Sequence, residues 1–160
     1  MDSETFEENV GSGASLTTPI QANNVKKNGH VVINGFPCKV VEVSSSKTGK
    51  HGHAKVHIVA VDIFSGKKYE DVHPASHNVE EPVITRNEYT LIDISRDRFC
   101  TLMEGSGNTK ENLKLPEGEY GDEIEKKYNE IKDDTSADML VTVVGAMGNE
   151  QIMSYKISGK

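Results

Sequence analysis

A chain of 160 residues with 35% hydrophobic and 6% aromatic residues and no tryptophan can fill one or two small cores, and it is too apolar for a disordered polymer. The formal net charge of −7 is unevenly laid out: residues 1–18 carry four acids and no base, residues 19–83 eight lysines, six acids and all six histidines, and residues 84–160 ten bases against fifteen acids. The most apolar stretch, Met139 to Met147, is far short of the ~20 residues a spanning helix needs, and the acidic start lacks the apolar run of a secretory signal. Cys38 and Cys100 stand far apart, which excludes a disulfide framework or a thiolate zinc site and fits a reduced, cytoplasmic protein.

In chain order, residues 1–18 are acidic and without period, as expected of a mobile tail. Short strands follow. "HVVIN" is one, and "GFPCKVVEVS", entered through Asn34-Gly35, is the next. In "AKVHIVAVDIF", Val56, Ile58 and Ala60 alternate with His57, Val59 and Val61, as in a strand with one side on the core and the other partly covered. Ser65-Gly66 turns into "KKYEDVHP". Four β-branched strands in so short a span predict a small barrel.

"NVEEPVITRNEY" reads as a boundary, because Pro82 interrupts pairing and the charge balance changes sign around it. Beyond it "EYTLIDIS", "RFCTLMEG" and "NLKL" are strand-like. "PEGEYGDEIEKKYNEI" changes period: Tyr120, Ile124, Tyr128 and Ile131 form the stripe of one amphipathic helix of about three turns. "MLVTVVGAM" and "EQIMSYKIS", joined at Gly148-Asn149, close the chain. Three strands, a helix and two strands are the order of an OB-fold, with the helix expected to plug the barrel end.

The chemistry concentrates in "SSSKTGKHGHAK", Ser44 to Lys55, which holds three lysines, two histidines and no acid in an acidic chain. A phosphate-cradling nucleotide loop fits poorly. Ser44 stands where that motif's first glycine belongs, His51 stands where its Ser/Thr belongs, and no helix follows. A metal site from His51, His53 and His57 lacks a carboxylate or thiolate nearby, and the lysines repel a cation. A catalytic lysine needs a pocket to shed its proton near neutral pH, which a glycine-flanked tip does not offer. A basic finger that meets nucleic-acid phosphate remains, beside a merely solvated basic hairpin. The single sign of charge over twelve residues favours the first.

"SKTGKHGHAKVHIVAVDIFSGKKYEDVHP" closely resembles the signature of the eukaryotic translation initiation factor 5A family, the hypusine-containing proteins. The likeness runs on through "NGFPCKVVEV", "SHNVEEP" and "KLPEGEYGDEIEKKY" and covers about residues 19–157. It implies a mainly β protein: an N-terminal SH3-like barrel (19–83) carrying the modified-lysine loop, then a C-terminal OB-fold barrel with one helix (84–160). It implies a non-enzymatic factor of translation initiation and elongation, without cofactor, whose Lys50 receives a spermidine-derived aminobutyl group and a hydroxyl to become hypusine. The partners implied are the ribosome near its E site, peptidyl-tRNA, deoxyhypusine synthase and deoxyhypusine hydroxylase, with no membrane. A weak homodimer is compatible with the sequence, and no residue pattern decides it.

On the same resemblance Lys47, Thr48, Gly49, His51, Gly52, His53 and Lys55 contact tRNA, ribosome and synthase. The hypusine arm would steady the peptidyl-tRNA acceptor end, promoting peptide-bond formation, notably at proline runs, and termination. Glycines at 49 and 52 and clustered positive charge predict a mobile loop from Ser45 to His53 in the free protein. Phe36, Ser45 and His73 depart from residues common in the family at those places. The alternative function is an RNA-binding module that acts on transcripts with an unmodified lysine.

Overall fold

The computed structural model describes residues 16–46 and 54–159. They form two compact units, Met1–Val83 and Ile84–Lys160, both built on antiparallel sheet. The fold is mainly β with a single α-helix among the described residues, as expected.

The first unit is a half-barrel. Strands β2 (His30–Ile33), β3 (Phe36–Ser46), β4 (Lys55–Asp62) and β5 (Lys68–Pro74) follow one another in a four-stranded sheet. Two further strands, β1 (Thr17–Gln21) and β6 (Asn78–Pro82), pair with each other. Neither was expected. Thr17 and Thr18, placed by the sequence in the acidic tail, sit opposite Pro82 and Glu81; residues 1–15 lie outside the described residues. Pro82 does not interrupt pairing either. It ends an edge strand, where a missing N–H is tolerated, and only Val83 separates β6 from the next strand.

Asn34 and Gly35 connect β2 to β3 with φ of 54° and 83°. This is the two-residue hairpin geometry that Asn-Gly adopts with least strain. Inward residues Val31, Ile33, Val40, Val56, Ile58 and Ala60 are at most 2% exposed and form one core with Ala22, Val25, Cys38 and Val79. Burying a side chain of the Val/Ile class contributes about 1.5–3 kcal/mol, so this alternation fixes the register of β4. A slip by one residue would turn Val56 and Ile58 to solvent.

The second unit is the OB-fold sheet, β7 (Ile84–Ile94), β8 (Phe99–Met103), β9 (Thr109–Lys114), β10 (Ala137–Ala146) and β11 (Asn149–Gly159), in spatial order β9-β8-β7-β10-β11. Lys110 on β9 reaches Glu150 on β11 at 2.8 Å, drawing the two edge strands together. The last hairpin turns at Met147-Gly148, with φ of 52° and 83°, and not at Gly148-Asn149; Asn149 already pairs with Ala146.

Helix α1 (Glu119–Ile131) crosses this unit between β9 and β10. Ile124 is fully buried in the core with Leu102, Met139, Val141 and Ile152. Tyr128 and Ile131 pack at its margin, and the Tyr128 hydroxyl donates to the Ile92 carbonyl at 2.7 Å. Tyr120, expected on the same buried stripe, is 38% exposed and tilts against Tyr155 instead. It lies in the first turn, beyond the reach of the core.

Candidate functional site

The basic segment is carried by the β3–β4 hairpin. Its ladder runs outward from Cys38 opposite Asp62, past a bulge at Val41, to Val43–Ile58, Ser44–His57, Ser45–Val56 and finally Ser46–Lys55. The ladder stays extended to its last pair because Val56 and Ile58 are still buried in the core while Ser44, Ser45 and Ser46 are free to be exposed. Two pairing partners hold the site's rear foot. Lys55 lies between Ser46 on β3 and Pro74 on β5. The Ala54 carbonyl accepts from the Ala75 N–H at 2.9 Å, and the Ala75 carbonyl accepts from the Asn23 N–H at 3.1 Å. The two ends of residues 47–53 therefore start from a braced base.

Of the residues read as functional, only Lys55 lies on the described backbone, exposed at the start of β4. Lys47, Thr48, Gly49, Lys50, His51, Gly52 and His53 lie outside the described residues, as does nearly all of the Ser45–His53 segment expected to be mobile. His57, weighed as a metal ligand, meets Glu70 at 2.8 Å across the sheet. His73 meets Asp71 at 2.8 Å. Among the described residues no three His, Cys, Asp or Glu side chains converge to hold a metal.

Two features beside the base were not legible in the sequence. An open groove of about 610 Å³ flanks it, lined in part by Asn23, Lys26, Lys27, Val41, Glu42 and Ser45. Its basic residues come from the segment after β1, which no local pattern joins to β3. The backbone tie through Ala75 is the second, since main-chain partners leave no trace in side-chain type.

The thiols are not part of any reactive site. Burial, then the negative charge of Asp62, pushes the Cys38 thiol up to about 11. Burial likewise raises Cys100 to about 11, with Arg98 opposing and Glu125 adding to the shift. Both stay protonated near neutral pH and are poor nucleophiles.

Comparison with known proteins follows the same two units. Residues 15–77 match the family described as "Translation initiation factor 5A-like, N-terminal". Residues 83–156 match "Eukaryotic elongation factor 5A hypusine, DNA-binding OB fold". The chain belongs to the eukaryotic translation initiation factor 5A family. It is 54% identical over 145 residues to eukaryotic translation initiation factor 5A-1 of Schizosaccharomyces pombe, covering 91% of this chain and 88% of that one. It is 51% identical over 155 residues to eukaryotic translation initiation factor 5A-1 of Saccharomyces cerevisiae, covering 97% and 95%.

Among solved structures, a translation initiation factor 5A family protein from Naegleria fowleri aligns with a TM-score of 0.79 at 50% identity, over 89% of this chain and 99% of that one. Eukaryotic translation initiation factor 5A from Methanococcus jannaschii aligns with a TM-score of 0.65 at 30% identity, over 88% and 96%. As a member of the family this chain is a hypusine-family translation factor and not an enzyme. No helix among the described residues is long and apolar enough to cross a membrane.

Proposed function

We propose that this factor acts on the ribosome near the E site and carries a hypusine at Lys50 to the acceptor end of peptidyl-tRNA. The observation that supports this most directly is the braced hairpin. Its ladder ends at Ser46 and Lys55 and brackets the segment "KTGKHGHA", in a chain matching a hypusine family along both units.

Each residue has a part in the reading. Lys50 supplies a primary amine whose nitrogen, in deoxyhypusine synthase, gains a bond to the aminobutyl carbon of spermidine as that carbon's bond to the secondary nitrogen breaks and 1,3-diaminopropane leaves. Arginine would keep the charge but not that nucleophile. A hydroxylase then converts one C–H bond of the arm to C–OH, with dioxygen as the oxidant. Gly49 and Gly52 let the tip approach an enzyme tunnel or a polynucleotide without side-chain obstruction. Lys47 and Lys55 neutralise phosphate, and Thr48, His51 and His53 supply polar contacts around the arm.

The modified arm reaches further than lysine and carries a second amine. Peptide-bond formation is largely a matter of positioning, so holding the tRNA end still is a sufficient mechanism, felt most at proline runs and at termination. The cytoplasm is the compartment where ribosome, synthase and hydroxylase would all meet it.

The test is replacement. Lys50→Arg should abolish growth in cells that depend on this factor while its amide spectrum stays that of the parent. Normal growth on the folded variant would overturn the modified-lysine mechanism and favour an unmodified RNA-binding module.

A further inference from the structure

A groove of about 200 Å³ opens in the second unit where three elements meet. Its apolar lining comes from Leu91 and Ile92 of β7, Tyr128 and Ile131 at the end of α1, and Ala137 and Met139 at the start of β10. Leu91 and Met139 are buried members of the core, so the floor of the groove is the core itself. The space suits one or two side chains and falls below the roughly 300 Å³ at which small-molecule sites begin.

One lip of the groove is a β-bulge. Leu91 pairs with Leu102 and Asp93 with Thr101, which leaves Ile92 as an extra residue without a partner on β8. Bulges re-aim side chains beside functional sites, and this one turns an isoleucine outward, 41% exposed. The Tyr128 hydroxyl donates to the Ile92 carbonyl at 2.7 Å and ties the bulge to the helix end. The lip is therefore held in place before anything binds.

The rim is acidic from both sides. Asp134 and Asp138 are part of the lining, where Lys132 is the one base among the described residues. Asp93 on β7 and Asp133 after the helix stand close by: burial, then their two negative charges, raises the Tyr128 hydroxyl above its ordinary value. Both aspartates are exposed, and among the described residues neither is in an ion pair. The last turn of α1 holds no base, so its carbonyl end adds partial negative charge.

We propose that this groove docks a basic segment of a partner protein, with an aliphatic side chain set against Ile92 and Ile131 and a neighbouring arginine on Asp93, Asp133 and the carbonyl end of α1. Arginine suits the rim better than lysine because its planar fork can bridge two oxygen acceptors at once. The carboxylates repel RNA phosphate, the ligand read for the basic hairpin. A wholly apolar partner would strip water from the aspartates and give nothing in return.

The test uses the full chain with plain lysine at position 50 and a short glycine-serine peptide carrying leucine between two arginines. Titration is followed by amide shifts. They should be confined to Leu91–Asp93 and Tyr128–Met139. Glutamates in place of the peptide's arginines should abolish binding, and serine in place of its leucine should weaken it about tenfold. In the protein, Ile92→Ser alters an exposed side chain, so the fold should hold while affinity falls about tenfold. Asp93→Asn with Asp133→Asn should weaken binding about fivefold. Absence of shifts with the arginine–leucine peptide overturns the proposal. Equal binding of the serine peptide, or an Ile92→Ser protein that binds as well as the parent, also overturns it by leaving only diffuse charge attraction. Sedimentation showing a dimer that Ile92→Ser dissociates would make a second copy the occupant and overturn the basic partner. None of these results touches the account of Lys50.

Discussion

Gly121 sits where no other residue fits. A Cβ built there would lie 1.8 Å from the Pro116 carbonyl oxygen and 2.8 Å from a guanidinium nitrogen of Arg98. The close approach lets Arg98 reach Asp122 at 3.1 Å and Glu125 at 3.2 Å, pinning the start of α1 to the β7–β8 turn. Gly121→Ala should therefore cost about 1–3 kcal/mol by forcing backbone apart, read as a lower urea midpoint. Gly105→Ala, where a Cβ meets nothing within 4 Å, is the control and should shift the midpoint little.

The two thiols make a second residue-scale prediction. Their ordinary value is 9.0 and each is raised to about 11 in the fold. Below pH 9 both states keep the proton and the thiols contribute no pH dependence. Between about pH 9 and 11 the unfolded chain loses protons that the folded chain retains, so stability falls as pH rises. Equilibrium unfolding across that window should show the loss, and a Cys38→Ala, Cys100→Ala protein should show less of it. At pH 8 alkylation of both thiols should track unfolding; rapid modification of the native protein would contradict their burial.

At the scale of elements, helix α1 separates packing from pattern. Ile124→Ala should cost about 2–5 kcal/mol, as expected for a large aliphatic removed from a filled core. Tyr120→Ala, at the exposed start of the same stripe, should cost much less. Equal urea-midpoint shifts would mean that Tyr120 packs as the period suggested.

The period was enough to find the helix, since Ile124, Tyr128 and Ile131 fall on its inner side, but not to find where the core stops. Likewise the alternation in "AKVHIVAV" located β4 and its buried face, because side-chain period alone decides that. β1 and β6 are not marked in the sequence for a physical reason: "TTPIQ" and "NVEEP" each carry a proline and are short, with few β-branched apolar residues to set a period. Their pairing is a tertiary fact. The candidate site divides in the same way. The basic hairpin was legible from its unmixed charge, whereas the groove beside it joins β3 to Lys26 and Lys27 of the segment after β1, which no local pattern pairs.

At the scale of the molecule, the two units each own a separate core, and each should fold alone. Fragments 15–83 and 84–160 should both give dispersed amide spectra. Starting the first at residue 19 would remove Thr17 and Thr18 from β1 and should lower its stability. Two collapsed spectra from the longer fragments would contradict independent folding.

The central claim concerns Lys50, and the mass of the peptide that contains it, taken from protein isolated from its native cells, tests that claim most directly. The account predicts a lysine enlarged by one aminobutyl group and one hydroxyl. A plain lysine throughout the native population would contradict it.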